Sequence, residues 1–439
     1  MRPMKDSGVE WLGGVPEDWR VTRLDSVFVN QNVKNKSLGI DSYLSLMKNI
    51  GIIPYAEKGN VGNKAPVDFD KCKLVSTGDF VLNSMNFGIG SFGVSSYDGM
   101  VSPVYIVLKP THLDRDADYY RHLFNTSRFR NFSQMLGSGI LEHRAAIPWE
   151  KFKTVGLPVP PLQEQVAIAS YLDQETSQID QLISKKEKLI EKLLERRQAL
   201  ITQVVTKGLD PNVPMKDSGV EWLGDVPLHW SIRPLRSIAS TISSPVDKKS
   251  IEGQSSVLLC NYTDVTYNDL IHADINFMQA TATLAQIRGY KLKAGDTVIT
   301  KDSETAEDMG LSAFVVAELS NVLCGYHLAI VRPRKRVVPR WLTWSLRGSS
   351  SRTQMTLFSR GLTRVSLGQG SLRSIKVATP PADEQTIIAS FLDQETAQID
   401  LLVEKARKAI ELLKERRQAL ITQVVTGKID IRGFAGGNS

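Results

Sequence analysis

The chain repeats two of its own segments. Residues 4–19 and 215–230 agree at 13 of 16 positions, and residues 160–210 and 380–430 agree at 34 of 51. The stretches between these copies, 20–159 and 231–379, barely resemble each other. Uniform divergence after a duplication would not leave such a contrast. The pattern indicates a duplicated framework that holds two different inserts in equivalent positions.

Length and composition predict a globular protein with several domains. At 439 residues, two or more domains are expected, and the 42% hydrophobic content excludes global disorder. The widely spaced Cys72, Cys260 and Cys324 suit a reducing cytosol and argue against a disulfide framework or a zinc ribbon. No signal sequence and no membrane-length apolar run is found, so we expect a soluble cytoplasmic protein. The excess of basic over acidic residues, 54 − 47 = 7, is compatible with nucleic acid, a membrane surface or acidic proteins.

The repeated block of 51 residues has an eleven-residue apolar period. Isoleucines stand at 168, 179, 190 and 201, and again at 388, 399, 410 and 421. Eleven residues make about three helical turns, so one stripe stays on one side of a nearly straight helix. Each copy is therefore predicted to form one near-continuous helix of about 45 residues that starts after a Pro-Pro pair. Pairing of the two as an antiparallel coiled rod is favoured; the alternative is two amphipathic helices, each packed on its own domain.

The two inserts share an α+β pattern. Short β-like runs separated by Gly, Asn and Ser clusters predict strands, and residues 119–136 predict a helix. Gly295–Ile299 answers Gly78–Leu82, and Leu328–Pro333 answers Tyr105–Pro110. We therefore expect one fold in both inserts, with the differences mainly in loops.

No catalytic motif is found in the sequence. Residues 88–93 read G-x-G-x-x-G, but no helical periodicity follows, so a loop is favoured over a dinucleotide site. The phosphate-binding loop of ATPases, the Asn/Asp-Pro-Pro-aromatic tetrapeptide of amino-methylating enzymes, H-E-x-x-H and G-x-S-x-G are absent. The six histidines have no metal-ligand spacing.

Both inserts carry side chains that can read base edges. Asn, Gln, Arg, Lys, Ser and Thr match the donors and acceptors of the DNA grooves, and here they occur in polar loops beside aromatic residues. Residues 139–144 also answer residues 361–364 in the second insert. Any one of these loops can equally be a solvated surface loop, but their matching places favour binding. The candidates are Lys48, Asn49, Asn83, Asn86, Arg128, Arg130, His143 and Arg144, with Asn261, Tyr262, Lys301, Arg360, Thr363 and Arg364 in the second insert.

At these residues the chain resembles the specificity subunit of type I restriction–modification systems, over essentially its whole length. The resemblance is carried by the doubled P-P-x-x-E-Q helix block, from Pro160 to Thr206 and from Pro380 to Thr426. Gly78-Asp79 and Gly295-Asp296 also fit. In the first insert, Asn83–Gly88 replaces the basic Arg-Pro run often seen after the Gly-Asp strand, so contacts there cannot be carried over.

The resemblance implies an α+β fold in which two α/β target recognition domains are separated by two long antiparallel helices that form a coiled-coil spacer with a pseudo-twofold repeat. It implies a partition into repeat segment 1–19, target recognition domain 20–159, helical spacer 160–214, repeat segment 215–230, second domain 231–379, second spacer 380–428 and tail 429–439.

The resemblance also implies a non-catalytic reader of double-stranded DNA. Each domain would bind one half of a bipartite site, and the helices would dock two methyltransferase subunits, which restriction subunits with translocase activity would join. S-adenosylmethionine, ATP and Mg would belong to those partners, and no membrane contact is implied. Two rival classes are an enzyme in its own right, for which a motif is missing, and a coiled-coil scaffold that binds proteins only.

Overall fold

The computed structural model describes residues 2–36, 40–48, 50–60, 64–112, 115–137, 146–361 and 363–433. These residues divide into two compact units. Unit 1 comprises residues 1–186 together with 408–439, and unit 2 comprises residues 187–407.

Unit 1 holds a central antiparallel sheet of four strands in the order β4-β11-β8-β9. Aromatic side chains fill its core; Phe124 and Phe129 stack with ring centroids 4.7 Å apart. The strands of the unit are β1 (Met4–Asp6), β2 (Gly14–Pro16), β3 (Arg20–Arg23), β4 (Phe28–Gln31), β5 (Leu44–Met47), β6 (Gly51–Pro54), β7 (Lys73–Val75), β8 (Phe80–Asn83), β9 (Phe92–Val94), β10 (Gly99–Val101), β11 (Tyr105–Pro110) and β12 (Gly156–Val159). Its helices are α1 (Ala117–Phe124), α2 (Ser127–Met135), α3 (Trp149–Phe152), the first part of α4 (Leu162–Lys207) and the last part of α11 (Ala382–Val425).

Unit 2 repeats this sheet with one strand added, in the order β16-β24-β20-β22-β18. The strands are β13 (Met215–Asp217), β14 (Asp225–Pro227), β15 (Ser231–Pro234), β16 (Ala239–Ser243), β17 (Ser255–Cys260), β18 (Leu270–Ile271), β19 (Met278–Ala282), β20 (Thr297–Thr300), β21 (Asp302–Ser303), β22 (Ser312–Val315), β23 (Val322–Cys324), β24 (Leu328–Pro333), β25 (Val365–Ser366) and β26 (Lys376–Thr379). The helices are the second part of α4, α5 (Leu235–Ile238), α6 (Tyr262–Tyr267), α7 (Leu284–Tyr290), α8 (Pro339–Arg347), α9 (Ser349–Phe358), α10 (Gln369–Ser374) and the first part of α11 (Ala382–Val425).

The two central sheets match strand for strand. Phe80 pairs with Val94 in unit 1 as Thr297 pairs with Phe314 in unit 2, so β8 and β9 correspond to β20 and β22. The added strand β18 runs parallel to β22 and has no counterpart among the described residues of unit 1. The predicted common α+β fold of the inserts is confirmed.

Each long helix is unbroken and contributes residues to both units. α4 spans 46 residues and α11 spans 44. In unit 1, Ile168 and Leu172 of α4 share a core with Ile421 and Val425 of α11, whereas Asp180 pairs with Arg417. The residue numbers on one helix rise as those on the other fall, so the helices run antiparallel, as expected. A glycine stands at the end of each helix. Gly208 and Gly427 come after the last turns with φ of +76° and +70°, a left-handed conformation that glycine adopts readily and that ends a helix.

Three local expectations were wrong, the last of them in part. Residues 119–136 form two helices, α1 and α2, because Thr126 interrupts them as an N-cap whose hydroxyl accepts from the Phe129 N–H. The candidates Arg128 and Arg130, expected in a polar loop, are part of helix α2. The G-x-G-x-x-G segment does not open an α-helix, but most of it is not a loop either: Gly88 and Ile89 end a 3₁₀ helix, and Phe92 and Gly93 belong to β9.

Candidate nucleic-acid interface

The P-P-x-x-E-Q motif attaches each domain to its helix. The Trp19 indole donates to Glu164 Oε2 at 3.0 Å, and the Trp230 indole donates to Glu384 Oε2 at the same distance. Both tryptophans are buried, so the carboxylates satisfy donors that would otherwise lack a partner. In unit 1, Arg2 also contacts Glu164; in unit 2, His229 takes that role at 2.9 Å from Glu384.

The glutamine of the motif joins three backbone segments. Gln165 donates to the Pro160 carbonyl at 2.8 Å and accepts from the Asp116 N–H, at the start of α1, at 3.0 Å. Gln385 donates to the Pro380 carbonyl at 2.9 Å and accepts from the Val338 N–H, at the start of α8, at 2.9 Å. The motif therefore holds two equivalent domain helices, α1 and α8, by the same contacts.

An aspartate two turns further along each long helix accepts hydrogen bonds from side chains of the same domain helix. Asp173 accepts from Arg121 at 2.7 Å and lies 2.9 Å from His122 Nε2. Asp393 accepts from Arg340 at 2.7 Å and from the Trp344 indole at 2.9 Å. Burial, with the positive charge of Arg121, lowers the pKa of His122 from 6.5 to about 4, so that imidazole is neutral at physiological pH. Equivalent attachments thus support two different domain surfaces.

In unit 2, several candidates meet around Asp302. Lys301 Nζ lies 2.6 Å from Asp302 Oδ2, and His327 Nδ1 lies 3.4 Å from the same oxygen. Arg364 donates to His327 Nε2 at 2.9 Å. The Tyr262 hydroxyl lies 3.1 Å from the Ser303 hydroxyl, next to this cluster in sequence. The structure therefore brings Lys301, Arg364 and Tyr262 to one region of unit 2, together with His327.

The contacts within this cluster shift the pKa values of Asp302 and His327. Burial acts to raise the pKa of Asp302, but the contacts with Lys301 and Ser366 outweigh it, so the pKa lies below its usual range. Burial and the charge of Arg364 lower the pKa of His327. A neutral imidazole that donates from Nδ1 to Asp302 and accepts at Nε2 satisfies both contacts. Arg364 is exposed while its guanidinium is held by this imidazole, which suits a base or phosphate contact.

The remaining candidates of unit 2 divide into exposed and structural residues. Arg360 and Thr363 are exposed in the turn before β25, and the Arg360 backbone pairs with Ser366. Asn261 is not a free reader, because it is buried and caps α6 in a capping box with Asp264. The loop expected around it is the start of a helix.

In unit 1, three candidates line one pocket of about 200 Å³. Lys48 is exposed at its edge, whereas Asn83 is buried and Asn86 half-buried. Asn83 Oδ1 accepts from the Met85 N–H, which fixes its orientation. Tyr43 also lines the pocket, and burial raises its pKa to about 12, so its hydroxyl remains a donor. Lys58 and Tyr105 contribute as well.

Arg128 and Arg130 occupy different surroundings on helix α2. Arg128 is exposed, whereas Arg130 is half-buried and lines a separate groove beside the long helices. The two arginines are therefore not part of the pocket that Lys48, Asn83 and Asn86 form.

Asn49, His143 and Arg144 lie outside the described residues. The structure describes the chain again from residue 146. There the Ile147 N–H donates to the Ser84 carbonyl at 3.3 Å. In unit 2, the Leu367 N–H donates to the Lys301 carbonyl at 2.7 Å. The residues that follow position 144 and position 364 therefore make equivalent backbone hydrogen bonds, as the proposed correspondence of residues 139–144 with 361–364 requires.

The sequence did not single out His327, Lys58, Tyr43 and Tyr105. The comparison of the two copies could have indicated His327. It immediately precedes β24, where the first copy has Val104 before β11, so a polar residue replaces an apolar one at this strand end. Among the described residues, no group of three or more His, Cys, Asp or Glu could hold a metal ion. The described helices also include none that is long and apolar enough to cross a membrane. The arrangement supplies cations, amides and aromatic rings, which are the chemistry of groove and phosphate contacts.

Comparisons with known proteins agree on one family. The model of the family described as type I restriction modification DNA specificity domain matches residues 16–192 and 274–412. The type I restriction enzyme MjaVIII specificity subunit of Methanocaldococcus jannaschii is 22% identical over 426 residues, which are 96% of this chain and 95% of that protein.

Two solved structures share the fold. A chain from work on complex assembly and conformational transition of the type I R-M system has a TM-score of 0.72 and 17% identity, covering 94% of this chain and 99% of that one. The HsdS subunit from Thermoanaerobacter tengcongensis has a TM-score of 0.54 and 16% identity, covering 94% and 98%. With more than half of its length matched by the family model, the chain belongs to the type I restriction–modification DNA specificity family.

Proposed function

We propose that the two domains read different halves of one bipartite duplex DNA site, and that the chain itself carries out no catalysis. The observation that carries this proposal is a contrast between two parts of each domain. The bonds that attach the domains to the long helices, Trp19–Glu164 and Trp230–Glu384, have the same geometry. The polar surfaces differ: one unit presents Lys48, Asn83 and Asn86, and the other presents the Asp302 cluster. Equivalent attachments with different polar surfaces are what two readers of unlike sequences require.

The paired helices are proposed to dock two methyltransferase subunits, with restriction subunits joining that assembly. S-adenosylmethionine, ATP and Mg would then be bound by those partners. Support comes from the helix faces: Leu182, Leu189 and Leu194 of α4 and Leu401, Leu402 and Leu412 of α11 are exposed. Exposed apolar side chains along a helix are a suitable surface for partner helices.

The test is selection of bound sites from random duplex DNA by the purified chain with its methyltransferase partner. We expect two short specified blocks separated by an unspecified gap. Exchanging residues 20–159 for the first domain of another family member should change one block only. A protein scaffold would enrich no sequence, and a change in both blocks would contradict independent reading by the two domains.

A single-residue test uses Arg364→Ala with Arg373→Ala as the matched control. Both side chains are exposed in unit 2, but Arg373 lies on α10, away from the Asp302 cluster in sequence. We expect Arg364→Ala to weaken specific binding by about 1–3 kcal/mol and Arg373→Ala to leave it unchanged. Equal affinities for the two variants over a range of salt concentrations would remove Arg364 from the interface.

A further inference from the structure

The outer edge of strand β9 lacks a neighbour that the equivalent strand of unit 2 has. Ser91 and Ser95 bond to β8, through the Asn83 N–H to the Ser91 carbonyl and the Ser95 N–H to the Asp79 carbonyl. By the alternation of an antiparallel pair, Phe92 and Val94 direct their backbone groups away from β8. In the described part of the chain, no strand pairs with that edge.

In unit 2, the same edge is covered by an acidic segment of the chain itself. The Phe314 N–H, equivalent to that of Val94, donates to the Asp269 carbonyl at 3.1 Å. The Val316 N–H donates to the Ile271 carbonyl at 3.2 Å. Residues 269–271 therefore complete the sheet as an added parallel strand.

The side chain of Asp269 enters a cluster of arginines. It forms an ion pair with Arg347 at 2.9 Å and another with Arg197, which also pairs with Asp400 at 2.9 Å. Burial acts to raise the pKa of Asp269, but the two arginines outweigh it and lower the pKa. The carboxylate is thus an integral part of this edge.

Unit 1 retains one of the two arginines that pair with Asp269. Asn125 stands where unit 2 has Arg347, since its carbonyl accepts from Gln418 as that of Arg347 accepts from Gln198. Arg417 occupies the position of Arg197 in the repeat and pairs with Asp180 at 2.9 Å, as Arg197 pairs with Asp400. No counterpart of Asp269 contacts Arg417 among the described residues. Arg130 is the fourth residue of α2 as Arg352 is of α9, and the buried Nε of each has no hydrogen-bond partner in the described structure.

The space left open is a groove. It measures about 590 Å³ in unit 1, against about 150 Å³ for the equivalent groove of unit 2. We call it the edge-strand groove; its walls include Ile50, Gly51, Phe92, Val94, Arg130 and Arg417. It combines free backbone groups, apolar surface and positive charge, and the difference in volume is in the direction expected if a short strand fills only the second copy.

We propose that the edge-strand groove binds an extended segment of a partner protein that carries an aspartate or glutamate. The segment adds a strand to the edge of β9, as residues 269–271 add one to β22. Its carboxylate meets Arg417, the counterpart of the Arg197 that pairs with Asp269, and Arg130, which lines the same groove. Main-chain hydrogen bonds supply much of the affinity in this mode of recognition, and the carboxylate supplies selectivity. The groove shares no lining residue with the pocket of Lys48, Asn83 and Asn86, so the proposal concerns a contact other than the proposed base reading.

The probe in the test is the segment of this chain that pairs with β22 in unit 2. A capped, fluorescein-labelled peptide with the sequence of residues 266–273, whose one acidic residue corresponds to Asp269, is titrated with the full-length protein. We expect saturable binding with a Kd of about 0.1–1 mM, because only a short strand is ordered. Arg130→Ala should weaken binding about tenfold, and the matched Arg352→Ala should leave it unchanged, since that groove is already occupied.

Two further measurements decide the outcome. A peptide with Asn in place of its aspartate should bind about tenfold more weakly, and the wild-type peptide should slow hydrogen exchange at Val94 without any substitution in the protein. No saturable binding, equal binding of the Asn peptide, or equal effects of the two arginine variants would overturn the proposal. Displacement of the peptide by short duplex DNA in an Arg130-dependent manner would assign the groove to nucleic acid, which would also overturn it.

Discussion

Replacing the motif glutamine is expected to loosen the first domain from its helix. In Gln165→Leu, the Pro160 carbonyl and the Asp116 N–H would both lose their side-chain partner. Gln165 is 0% exposed, so water cannot replace it without a rearrangement. Each orphaned group costs about 1–3 kcal/mol, and the added apolar burial returns about 1 kcal/mol. We expect a net loss of about 3 kcal/mol.

The loss should be local to the segments that Gln165 joins. Native-state hydrogen exchange read out by mass spectrometry reports opening segment by segment, so it can assign the loss to α1 and the start of α4. The control is Gln174→Leu, an exposed position on the same helix. Because Gln385 has the same contacts in unit 2, Gln385→Leu should cost the same for α8 within about 0.5 kcal/mol.

Equal free energies of opening for α1 in Gln165→Leu and Gln174→Leu would show that Gln165 does not hold α1. Destabilisation of α2 and the central sheet in Gln165→Leu, with α1 unchanged, would likewise show that the bond at Asp116 does not hold α1.

Three other outcomes are expected. The lowered pKa of His122 means that the unfolded chain binds a proton at higher pH than the folded one, so stability falls as pH drops from 6.5 towards 4; between pH 7 and 5 wild type should lose about 2 kcal/mol more than His122→Gln, measured by urea denaturation at each pH. In the protein alone, the Phe314 amide should exchange more slowly than that of Val94, by about tenfold or more; equal rates would indicate that the β9 edge is already paired. Asp302→Asn removes a negative charge beside Lys301, so non-specific DNA affinity should rise while enrichment of one half-site falls; unchanged site selection would place the Asp302 cluster outside the interface.

The elements predicted best were those whose signal is local and periodic. The eleven-residue stripe predicted two helices of about 45 residues, and helices of 46 and 44 residues are present. Strand β24 spans Leu328–Pro333, the segment matched between the inserts. A stripe along a helix and a short apolar run are properties of neighbouring residues, so they can be read without knowing the rest of the fold.

The polar site residues were harder because their partners are remote in sequence. Arg364 is oriented by His327, which is 37 residues away, and no local pattern contains that pairing. Asn261 resembled a reader by type, yet its side chain caps a helix, a use of asparagine that competes with surface roles. Arg130 was selected for its charge, but it faces a groove other than the pocket of Asn83.

The duplicated helices carry a constraint that explains why they changed less than the inserts. α4 gives residues 162–186 to unit 1 and 187–207 to unit 2, while α11 gives its first part to unit 2 and its last part to unit 1. Asp180 of α4 meets Arg417 of α11, and Arg197 of α4 meets Asp400 of α11, so each helix supplies the acid to one pair and the base to the other. A substitution in either helix must therefore remain compatible with the other copy, whereas a substitution at Lys301 or Arg364 alters contacts within one domain only. Selection for new DNA targets can act on the inserts while packing restrains the helices.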